Sequence, residues 1–342
     1  MLEVRDLKMY FPVKRGLLGR AAGYVKAVDQ VSFSVGKGET LALVGESGCG
    51  KTTVGKCLVR LLRPTAGSIL FEGRDIAGLD RKSLKEYRRR MQIVFQDPFG
   101  SLNPRMTVVD IVGEGLAIMG APNREERVGE LLDIVGLSQE DGSRYPHEFS
   151  GGQRQRIGIA RALAVGPSFI VCDEPVSALD VSIQAQILNL LEELQEKFAL
   201  SYLIVAHDLA VVRHIADRVL VMYVGQVMEE AFTEELFARP MHPYTQALFA
   251  SIPSLDPSRP CGLHHLPGEP PSPVDPPPGC RFASRCPQVM EKCKEGSIPL
   301  VEISPTHRVR CLLFEEIKEK WRGKFKDKET TDEYLEEIRG VI

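Results

Sequence analysis

The stretch "ETLALVGESGCGKTTVGKCLVRLL", residues 39–62, decides the fold of this chain. An apolar run that is typical of a strand leads into a glycine-rich loop, and a helical pattern follows. The loop, "GESGCGKT" at Gly45–Thr52, fits G-x-x-x-x-G-K-[ST] between a strand and a helix. Glycines let successive backbone amides curl around phosphate oxygens, and the helix N-terminus adds its dipole and free N–H groups. The stretch therefore predicts a nucleotide phosphate site at the end of a strand.

Two side chains of this loop have specific predicted roles. Lys51 is expected to bring a positive charge to the β- and γ-phosphates, and Thr52 is expected to offer its hydroxyl to Mg²⁺. The other predicted nucleotide ligands of the loop are Gly45, Glu46, Ser47, Gly48, Cys49, Gly50 and Thr53. Because Cys49 lies within the loop, alkylation of its thiol is expected to block nucleotide binding sterically.

Further apolar runs predict the rest of the sheet. The segments "MQIVFQD", "FIVCDE", "YLIVAH" and "RVLVMYVG" are typical of strands, and the amphipathic "VSIQAQILNLLEELQEKF" lies between the second and the third. Buried strands without alternation, joined by helices, favour an α/β fold with a parallel sheet. Residues from about 100 to 165 are mainly helical in pattern, so we expect a helical subdomain inserted in the sheet domain.

Acidic and basic residues follow two of these strands. In "FIVCDEP", Asp173 is expected to hold Mg²⁺, directly or through water, and Glu174 to orient the attacking water or accept its proton. His207 in "IVAHDL" ends the next strand, and its predicted contact is phosphate or Glu174.

A second anion-binding element is predicted at "FSGGQRQRIGIARAL", residues 149–163. A serine and two glycines open an apolar-periodic helix, which gives free N–H groups and the positive end of a helix dipole. Such an element either binds another ligand or meets the nucleotide of a second subunit.

The phosphate loop, "VFQDP", "FSGGQ", "CDEP", "SALD" and "AHD" appear in the order and spacing that resembles ABC transporter ATPases, over roughly residues 1–250. The resemblance implies a P-loop NTPase fold: a RecA-like core, an N-terminal antiparallel β subdomain and an inserted α-helical subdomain. It also implies that two such domains face head to tail, with each ATP between the phosphate loop of one and the signature motif of the other. The residues that would complete the partner's ATP site are Ser150, Gly151, Gly152 and Gln153.

The resemblance assigns further roles. Gln96 is implied to sense the nucleotide, to be a ligand of Mg²⁺ and to lead into the surface that touches a membrane subunit. Asp180 of "SALD" is implied to lie at the dimer seam. An aromatic ring is implied to stack on adenine. The predicted residue is Phe11, and Tyr10 and Tyr24 are the alternatives. The predicted catalytic set is Lys51, Gln96, Glu174 and His207.

Composition narrows the class of protein. The chain has 342 residues, of which 43% are hydrophobic and 26% charged, with a formal net charge of −3. This balance gives no reason to expect a nucleic-acid partner. The apolar runs are far shorter than the roughly 20 residues that a membrane helix needs. If the protein works at a membrane, we expect a peripheral position on the cytoplasmic face, with other chains providing the spans.

The last quarter of the chain differs from the rest in amino-acid composition. After an ATPase domain at 1–252 we expect a proline-rich linker at 253–279, a cysteine module at 280–311 and a charged helical tail at 312–342. Cys280, Cys286, Cys293 and Cys311 are spaced C-x5-C-x6-C-x17-C. Four thiolates suit one [4Fe–4S] cluster or one zinc ion, with His307 as a possible substitute ligand; the alternative is four unrelated buried thiols. Cys261 lies outside the pattern and has no assigned role.

The stretches "DPFGSLNPRMTV", "CDEPVSALDVSIQAQ", "HPYTQALFASIP" and "GCRFASRCP" resemble the ATPases of bacterial oligopeptide/dipeptide importers. That subgroup implies an iron–sulfur cluster on the four cysteines and ATP hydrolysis coupled to peptide uptake. The implied partners are a second ATPase, identical or homologous, two membrane permeases and an extracytoplasmic binding protein. Nickel, glutathione or oligosaccharide cargo, a soluble ABC ATPase of repair or translation, and a metal-sensing regulator remain the alternatives.

Overall fold

The computed structural model describes residues 1–15, 20–250 and 268–315. The chain forms two compact units, each of which takes residues from several stretches. The first unit contains residues 1–5, 33–42 and 52–216, and the second contains 6–32, 43–51 and the chain from 217 onward.

The strands are β1 (Leu2–Arg15), β2 (Arg20–Val35), β3 (Thr40–Val44), β4 (Ala66–Phe71), β5 (Arg74–Asp75), β6 (Met91–Val94), β7 (Phe169–Asp173), β8 (Ser201–Val205), β9 (Arg218–Tyr223), β10 (Gln226–Phe232), β11 (Val301–Ser304) and β12 (His307–Val309). The helices are α1 (Lys51–Leu58), α2 (Leu84–Arg90), α3 (Val108–Met119), α4 (Arg124–Ile134), α5 (Gly151–Leu163), α6 (Val181–Phe198), α7 (Leu209–Ile215), α8 (Thr233–Ala238) and α9 (Pro243–Ala250).

A parallel sheet forms the centre of the first unit. Strand β7 lies between β6 and β8, and both pairings are parallel. Every residue of β7 and of β8 is buried. Continuous apolar strands need cover on both faces, and helices between the strands supply it. The prediction of an α/β fold with a parallel sheet is therefore confirmed.

Helices α3, α4 and α5 occupy the stretch for which the sequence predicts helices. Thr107 caps α3 by accepting a hydrogen bond from the Asp110 N–H at 3.4 Å, and Gly120 ends the helix in the left-handed region at φ +67°. Buried apolar residues recur along one face of α3 at Val108, Ile111 and Val112. These caps and the periodicity are local features that favour a helix at this place.

Other strands of the two sheets form antiparallel pairs. In the first unit β4 pairs with β5. In the second unit β1 neighbours β2, and β10 pairs antiparallel with both β9 and β12, while β11 pairs with β12. Strands β11 and β12 lie within the predicted cysteine module, and the sequence analysis did not predict them. Runs of four and three residues are too short to show a period of two.

The described part of the proline-rich linker is extended. The Lys26 N–H donates to the Pro273 carbonyl at 2.9 Å, the Asp275 N–H donates to the Tyr24 carbonyl at 3.1 Å, and Val25 and Val274 form an antiparallel bridge. Residues 273–275 thus run along β2. The remainder of the linker, with Cys261, and the predicted tail beyond residue 315 lie outside the described residues. Within the described ranges, the helices are too short or too polar to span a bilayer.

Candidate functional site

Three predicted site residues meet at one edge of the parallel sheet in the first unit. The register pairs Val94 with Cys172 and Asp173 with Val205, so β6, β7 and β8 end at the same edge. Gln96 and His207 each lie two residues beyond the end of a strand, on either side of Glu174. The carboxyl ends of parallel strands are where ligands bind in open α/β sheets.

Glu174 is the centre of this group. The Gln96 Nε2 donates to Glu174 Oε2 at 2.8 Å, and the His207 Nδ1 lies 3.1 Å from the same oxygen. The side chain of Glu174 is 17% exposed and that of His207 is 56% exposed. The contact that the sequence predicts between His207 and Glu174 is present, whereas the contact between Gln96 and Glu174 was not predicted.

The backbone at Glu174 fixes the direction of this side chain. Its φ is +47°, in the left-handed region that a residue with a Cβ rarely adopts. The Glu174 N–H donates to the Val205 carbonyl at 3.0 Å, which holds the turn onto β8. Such a conformation costs about 1–3 kcal/mol and persists at sites where the surroundings enforce it.

Two of the three predicted magnesium ligands, Thr52 and Asp173, are hydrogen-bonded to each other. The Thr52 hydroxyl donates to Asp173 Oδ1 at 2.8 Å. Asp173 is 4% exposed and is the last residue of β7. A carboxylate and a hydroxyl are hard oxygen ligands of the kind that Mg²⁺ prefers. The pair therefore suits the cation that accompanies a nucleoside triphosphate.

The phosphate loop up to Lys51 belongs to the second unit. Gly45 and Gly50 have φ of +146° and +108°, and a Cβ on them would collide with the carbonyl oxygens of Met222 and Ala27, respectively. Both positions thus require glycine. Lys51 is 5% exposed, and its ammonium donates to the Gly45 carbonyl at 2.7 Å and to the Glu46 carbonyl at 3.1 Å.

The thiol of Cys49 is buried in this loop. Cys49 is 4% exposed, and burial raises the pKa of its thiol. Since the thiolate is the form that reacts, alkylation of Cys49 is expected to be slow, and its predicted effect on nucleotide binding stays a prediction. The other predicted ligands, Ser47, Gly48 and Thr53, follow the chain through the loop and the first turn of α1.

The signature stretch begins a helix with a reciprocal cap. The Ser150 hydroxyl accepts from the Gln153 N–H at 3.3 Å, and the Gln153 side chain accepts from the Ser150 N–H at 3.0 Å, a capping box that opens α5. A Cβ on Gly152 would lie 2.5 Å from a methyl group of Ile183 in α6, and one on Gly151 would lie 3.3 Å from Leu179. The two glycines therefore have a packing role besides the predicted phosphate role.

The aromatic candidates for adenine lie in β1 and β2. The Tyr10 hydroxyl donates to Asp29, and the Lys26 ammonium lies 5.9 Å from the centre of the Tyr10 ring. Burial raises the pKa of the Tyr10 hydroxyl. Phe11 is half-buried and Tyr24 is 46% exposed. Which ring stacks on adenine stays a prediction. Asp180 precedes α6 as its N-cap residue.

The four patterned cysteines line one pocket in the second unit. Cys280, Cys286, Cys293 and Cys311 surround it together with apolar side chains that include Ala283, Ile298 and Leu313. Burial raises the pKa of Cys280 to about 11 and that of Cys311 to about 12, and neighbouring cysteines add to both shifts. A cation that binds thiolates would stabilise the deprotonated form of these four side chains. However, no three His, Cys, Asp or Glu side chains of the described ranges are arranged to hold a metal ion.

His307, the alternative ligand, has other partners. Its Nε2 lies 2.7 Å from Glu229 Oε1 and its Nδ1 lies 3.3 Å from Glu235 Oε1. Both His307 and Glu229 are fully buried. The imidazole thus serves an ion pair between β12, β10 and α8.

Sequence reasoning missed two arginines next to the cysteines. Arg281 donates to the Val224 carbonyl and to the Asp29 carboxylate. Arg285 Nη1 lies 3.0 Å from both carboxylate oxygens of Glu46, which belongs to the phosphate loop. The available signal was the segment "CRFASRC", where each arginine adjoins a cysteine.

Comparison with known proteins agrees with this arrangement. The family profile described as "ABC transporter" matches residues 28–177, and the profile described as "Oligopeptide/dipeptide transporter, C-terminal region" matches residues 228–293. The chain is 54% identical over 320 residues to the oligopeptide transport ATP-binding protein AppF of Bacillus subtilis, which covers 92% of this chain and 97% of that protein. It is 50% identical over 315 residues to a putative peptide import ATP-binding protein of Brucella ovis, which covers 91% of this chain and 97% of that protein.

Solved structures show the same fold. A dimeric ATP-binding cassette in a post-hydrolysis state, bound to ADP and Pi, aligns with a TM-score of 0.61 at 29% identity, over 68% of this chain and 99% of that chain. CbiO1 of Clostridium perfringens, part of an ABC transporter complex, aligns with a TM-score of 0.60 at 30% identity, over 70% of this chain and 90% of that chain. This chain therefore belongs to the ABC transporter family, as an ATP-binding protein of the group that carries the oligopeptide/dipeptide transporter C-terminal region.

Proposed function

We propose that this chain is the ATP-hydrolysing subunit of an importer for di- and oligopeptides, and that it works peripherally at the cytoplasmic face of the membrane. The observation that carries the proposal is the 54% identity to an oligopeptide transport ATP-binding protein over 97% of that relative. The alignment covers almost the whole length of both proteins, and the oligopeptide/dipeptide C-terminal profile matches this chain.

The proposed reaction is ATP plus water to ADP plus phosphate. The water oxygen forms a bond to the γ-phosphorus, the bond from that phosphorus to the bridging oxygen of ADP breaks, and Glu174 accepts the proton of the water. Gln96 and His207 both contact Oε2 of Glu174 and so fix the rotation of its carboxylate. When bound, Mg²⁺ neutralises phosphate charge and orients the triphosphate. Thr52 and Asp173 are the residues that we propose to hold it.

We propose that the phosphate loop and Lys51 bind the phosphates. The loop amides and the N-terminus of α1 provide N–H donors, and the Lys51 ammonium exchanges its contacts with loop carbonyls for contacts with the β- and γ-phosphates. Gly45, Gly48 and Gly50 all have positive φ, which gives the loop its curvature. The backbone shape supports this role because successive amides of such a loop form an anion-binding concavity.

A second ATPase subunit completes the proposed site. Ser150, Gly151, Gly152 and Gln153 of each chain would face the nucleotide of the other. The capping box leaves the N-terminus of α5 well ordered, and the dipole there favours a phosphate. A cassette solved as a dimer with ADP and Pi supports this assembly. Two permeases and an extracytoplasmic binding protein are the remaining proposed partners, and nucleic acid is not one of them.

We further propose that Cys280, Cys286, Cys293 and Cys311 hold a [4Fe–4S] cluster. The support is that all four sulfur-bearing side chains line a single apolar pocket. A tetrahedral single ion would need sulfurs about 2.3 Å from a common centre. Zinc stays the alternative for the same four thiols. When bound, the cluster supplies cross-links between the segments that carry the cysteines.

The transport role is tested with the complete complex in proteoliposomes. The chain is purified with its permeases and binding protein, and ATP hydrolysis is measured with a peptide mixture, nickel, glutathione or oligosaccharide. We expect peptides to stimulate hydrolysis and to accumulate in the vesicles. Stimulation by one of the other three cargoes and not by peptides would overturn the peptide assignment. Activity that needs no membrane partner would favour a soluble ABC ATPase.

The cluster is tested with Cys286→Ser, with Cys261→Ser as the matched control outside the pattern. We expect Cys286→Ser to lose iron and the visible sulfur-to-iron absorbance, and Cys261→Ser to keep both. Zinc in place of iron in the wild-type protein would favour the alternative metal, and an unchanged iron content in Cys286→Ser would refute the cluster.

A further inference from the structure

Glu46, the second residue of the phosphate loop, is held at three points. Its N–H donates to the Tyr244 hydroxyl at 2.8 Å, its carbonyl accepts from the Lys51 ammonium at 3.1 Å, and its carboxylate contacts Arg285. The loop backbone, the phosphate-binding ammonium and Arg285 are therefore joined through one residue. A shift of Glu46 moves an anchor of Lys51.

Arg285 comes from the C-terminal extension, 239 residues away along the chain. It ends the short 3₁₀ helix Ala283–Arg285 and directly precedes Cys286. A single nitrogen, Nη1, lies 3.0 Å from both carboxylate oxygens of Glu46 and 3.1 Å from the Tyr223 hydroxyl. The side chain of Arg285 is 6% exposed, and that of Glu46 is 26% exposed. The contact is thus largely shielded from water. An ion pair in such a place is stronger than one at the surface.

Aromatic packing holds the same segment beside the loop. The Phe282 ring lies 5.4 Å from the Tyr223 ring and 5.5 Å from the Tyr244 ring, and the two tyrosine rings are 4.6 Å apart. These tyrosines are the ones whose hydroxyls contact Arg285 and the Glu46 N–H, respectively. All three rings are fully buried. The extension therefore reaches Glu46 both directly, through a charge, and indirectly, through aromatic rings that pack edge-on or tilted against one another.

We propose that Arg285 is a positioning residue for ATP binding, and that the cysteine extension uses it to hold the phosphate loop in its binding shape. This inference rests on the proposed ATPase function and adds a role for the extension that nucleotide contacts alone do not give it. A loop held in its bound conformation loses less entropy when the ligand binds, so the contact raises affinity without touching the phosphate. Burial opposes the charge of Arg285, but its hydrogen bonds to Tyr223 and Glu46 outweigh burial and raise the pKa of the guanidinium.

The test is Arg285→Gln in the full-length protein, with the Kd of ATP measured by titration calorimetry and KM and kcat measured in the transporter complex. We expect Kd and KM to rise about tenfold, equal to about 1.4 kcal/mol, while kcat changes less than about twofold. Because the single nitrogen Nη1 contacts both Glu46 carboxylate oxygens and the Tyr223 hydroxyl, an ammonium can replace part of these contacts, and Arg285→Lys should restore part of the affinity. Lys294→Gln is the matched control, since Lys294 pairs with Glu291 at 2.7 Å in the same extension and both are exposed.

The double variant Arg285→Gln/Glu46→Gln separates a direct contact from general damage. If Arg285 acts through Glu46, the double variant binds ATP no more weakly than the weaker of the two single variants. Additive losses, an unchanged Kd in Arg285→Gln, a loss in kcat alone, or an equal loss in Lys294→Gln would each overturn the inference. Should Arg285→Gln fail to fold, the test uses Glu46→Gln. This variant must raise the Kd of ATP, and adding Arg285→Lys to it must leave that Kd unchanged. A wild-type chain that binds no ATP would instead refute the proposed function.

Discussion

Two pairs of glutamate and histidine lie in different parts of this molecule and differ mainly in burial. Glu174 and His207 are 3.1 Å apart in the first unit, with the histidine side chain 56% exposed. Glu229 and His307 are 2.7 Å apart in the second unit, with both side chains fully buried. The same two side chains thus serve in one place at an open sheet edge and in the other inside the core.

Their surroundings explain the difference. Glu174 has a strained backbone, with φ at +47°, and its contacts are with side chains that follow strand ends. Glu229 lies within β10 and accepts hydrogen bonds from the N–H groups of Met241 and His242 at 2.7 and 2.9 Å, besides His307. The first carboxylate is oriented but accessible, which suits chemistry. The carboxylate of Glu229 is buried and hydrogen-bonded to several polar groups. It has a structural role, because a buried charge is tolerated only when it is paired.

The largest expected effect is on the exposed pair. Glu174→Gln should reduce ATP hydrolysis by the transporter complex about thousandfold, within the range that a general base contributes, because the amide cannot accept the proton. ATP binding and the melting temperature should stay close to those of the wild type, and a closed ATP-bound dimer should accumulate. Hydrolysis is followed by phosphate release, and assembly by size-exclusion chromatography. Rapid turnover by this variant would refute the role of Glu174.

The buried pair is expected to give the opposite result. His307→Gln should lower the free energy of unfolding by about 3 kcal/mol, because it leaves the buried carboxylate of Glu229 without an opposite charge. The kcat of the folded fraction should change little. Chemical denaturation measures the first quantity and ATPase assays below the melting temperature measure the second. Glu229→Gln should behave likewise, and a variant of this pair that lost kcat while keeping its stability would break the comparison.

The pH dependence of stability tests the comparison of the two glutamate–histidine pairs further. Burial opposes protonation of His307, but contacts with Glu229 and Glu235 outweigh it and raise the pKa of the imidazole. A raised folded-state pKa gives stability that is fully present below the unfolded pKa of about 6.5 and is lost as pH rises through the folded value. The wild-type melting temperature should therefore fall over that window, and His307→Gln should remove this part of the slope. An unchanged slope would show that His307 is not the titrating group.

A third pair should show the smallest effect. His214 and Glu192 are 3.8 Å apart, with side chains 53% and 40% exposed. Surface substitutions of this kind usually change stability by less than about 0.5 kcal/mol. Glu192→Gln should leave the melting temperature and kcat within error of the wild type, and it serves as the matched control for Glu174→Gln. A clear loss of activity in Glu192→Gln would mean that a nearby Glu–His pair by itself is no guide to function.

Much of the site could be predicted from short motifs. Gly45 and Gly50 require the left-handed region, Asp173 and Glu174 end a buried strand, and Ser150 caps a helix, and each of these features involves neighbours within a few residues. Local geometry of this kind leaves a pattern in the sequence. The parallel order of β6, β7 and β8 was also predictable, because apolar runs separated by helices favour it.

The contacts of the extension could not be predicted in the same way. Strands β11 and β12 are too short for a periodic pattern, and the choice of Glu46 as the partner of Arg285 depends on how the extension packs. The cysteine spacing suggested a metal but gave no sign of the adjacent arginines' targets. Likewise, nothing local distinguishes His307 as an ion-pair residue from His307 as a metal ligand.

The sequence by itself determined the phosphate loop, the strand-end acids and the capped signature helix, because steric limits on φ and hydrogen bonds between near neighbours dictate them. Tertiary structure alone decided which glutamate is buried in the core beside a histidine, and which is held by an arginine 239 residues away. Burial and long-range pairing depend on which surfaces come together in the folded chain, and a side chain's identity does not carry that information.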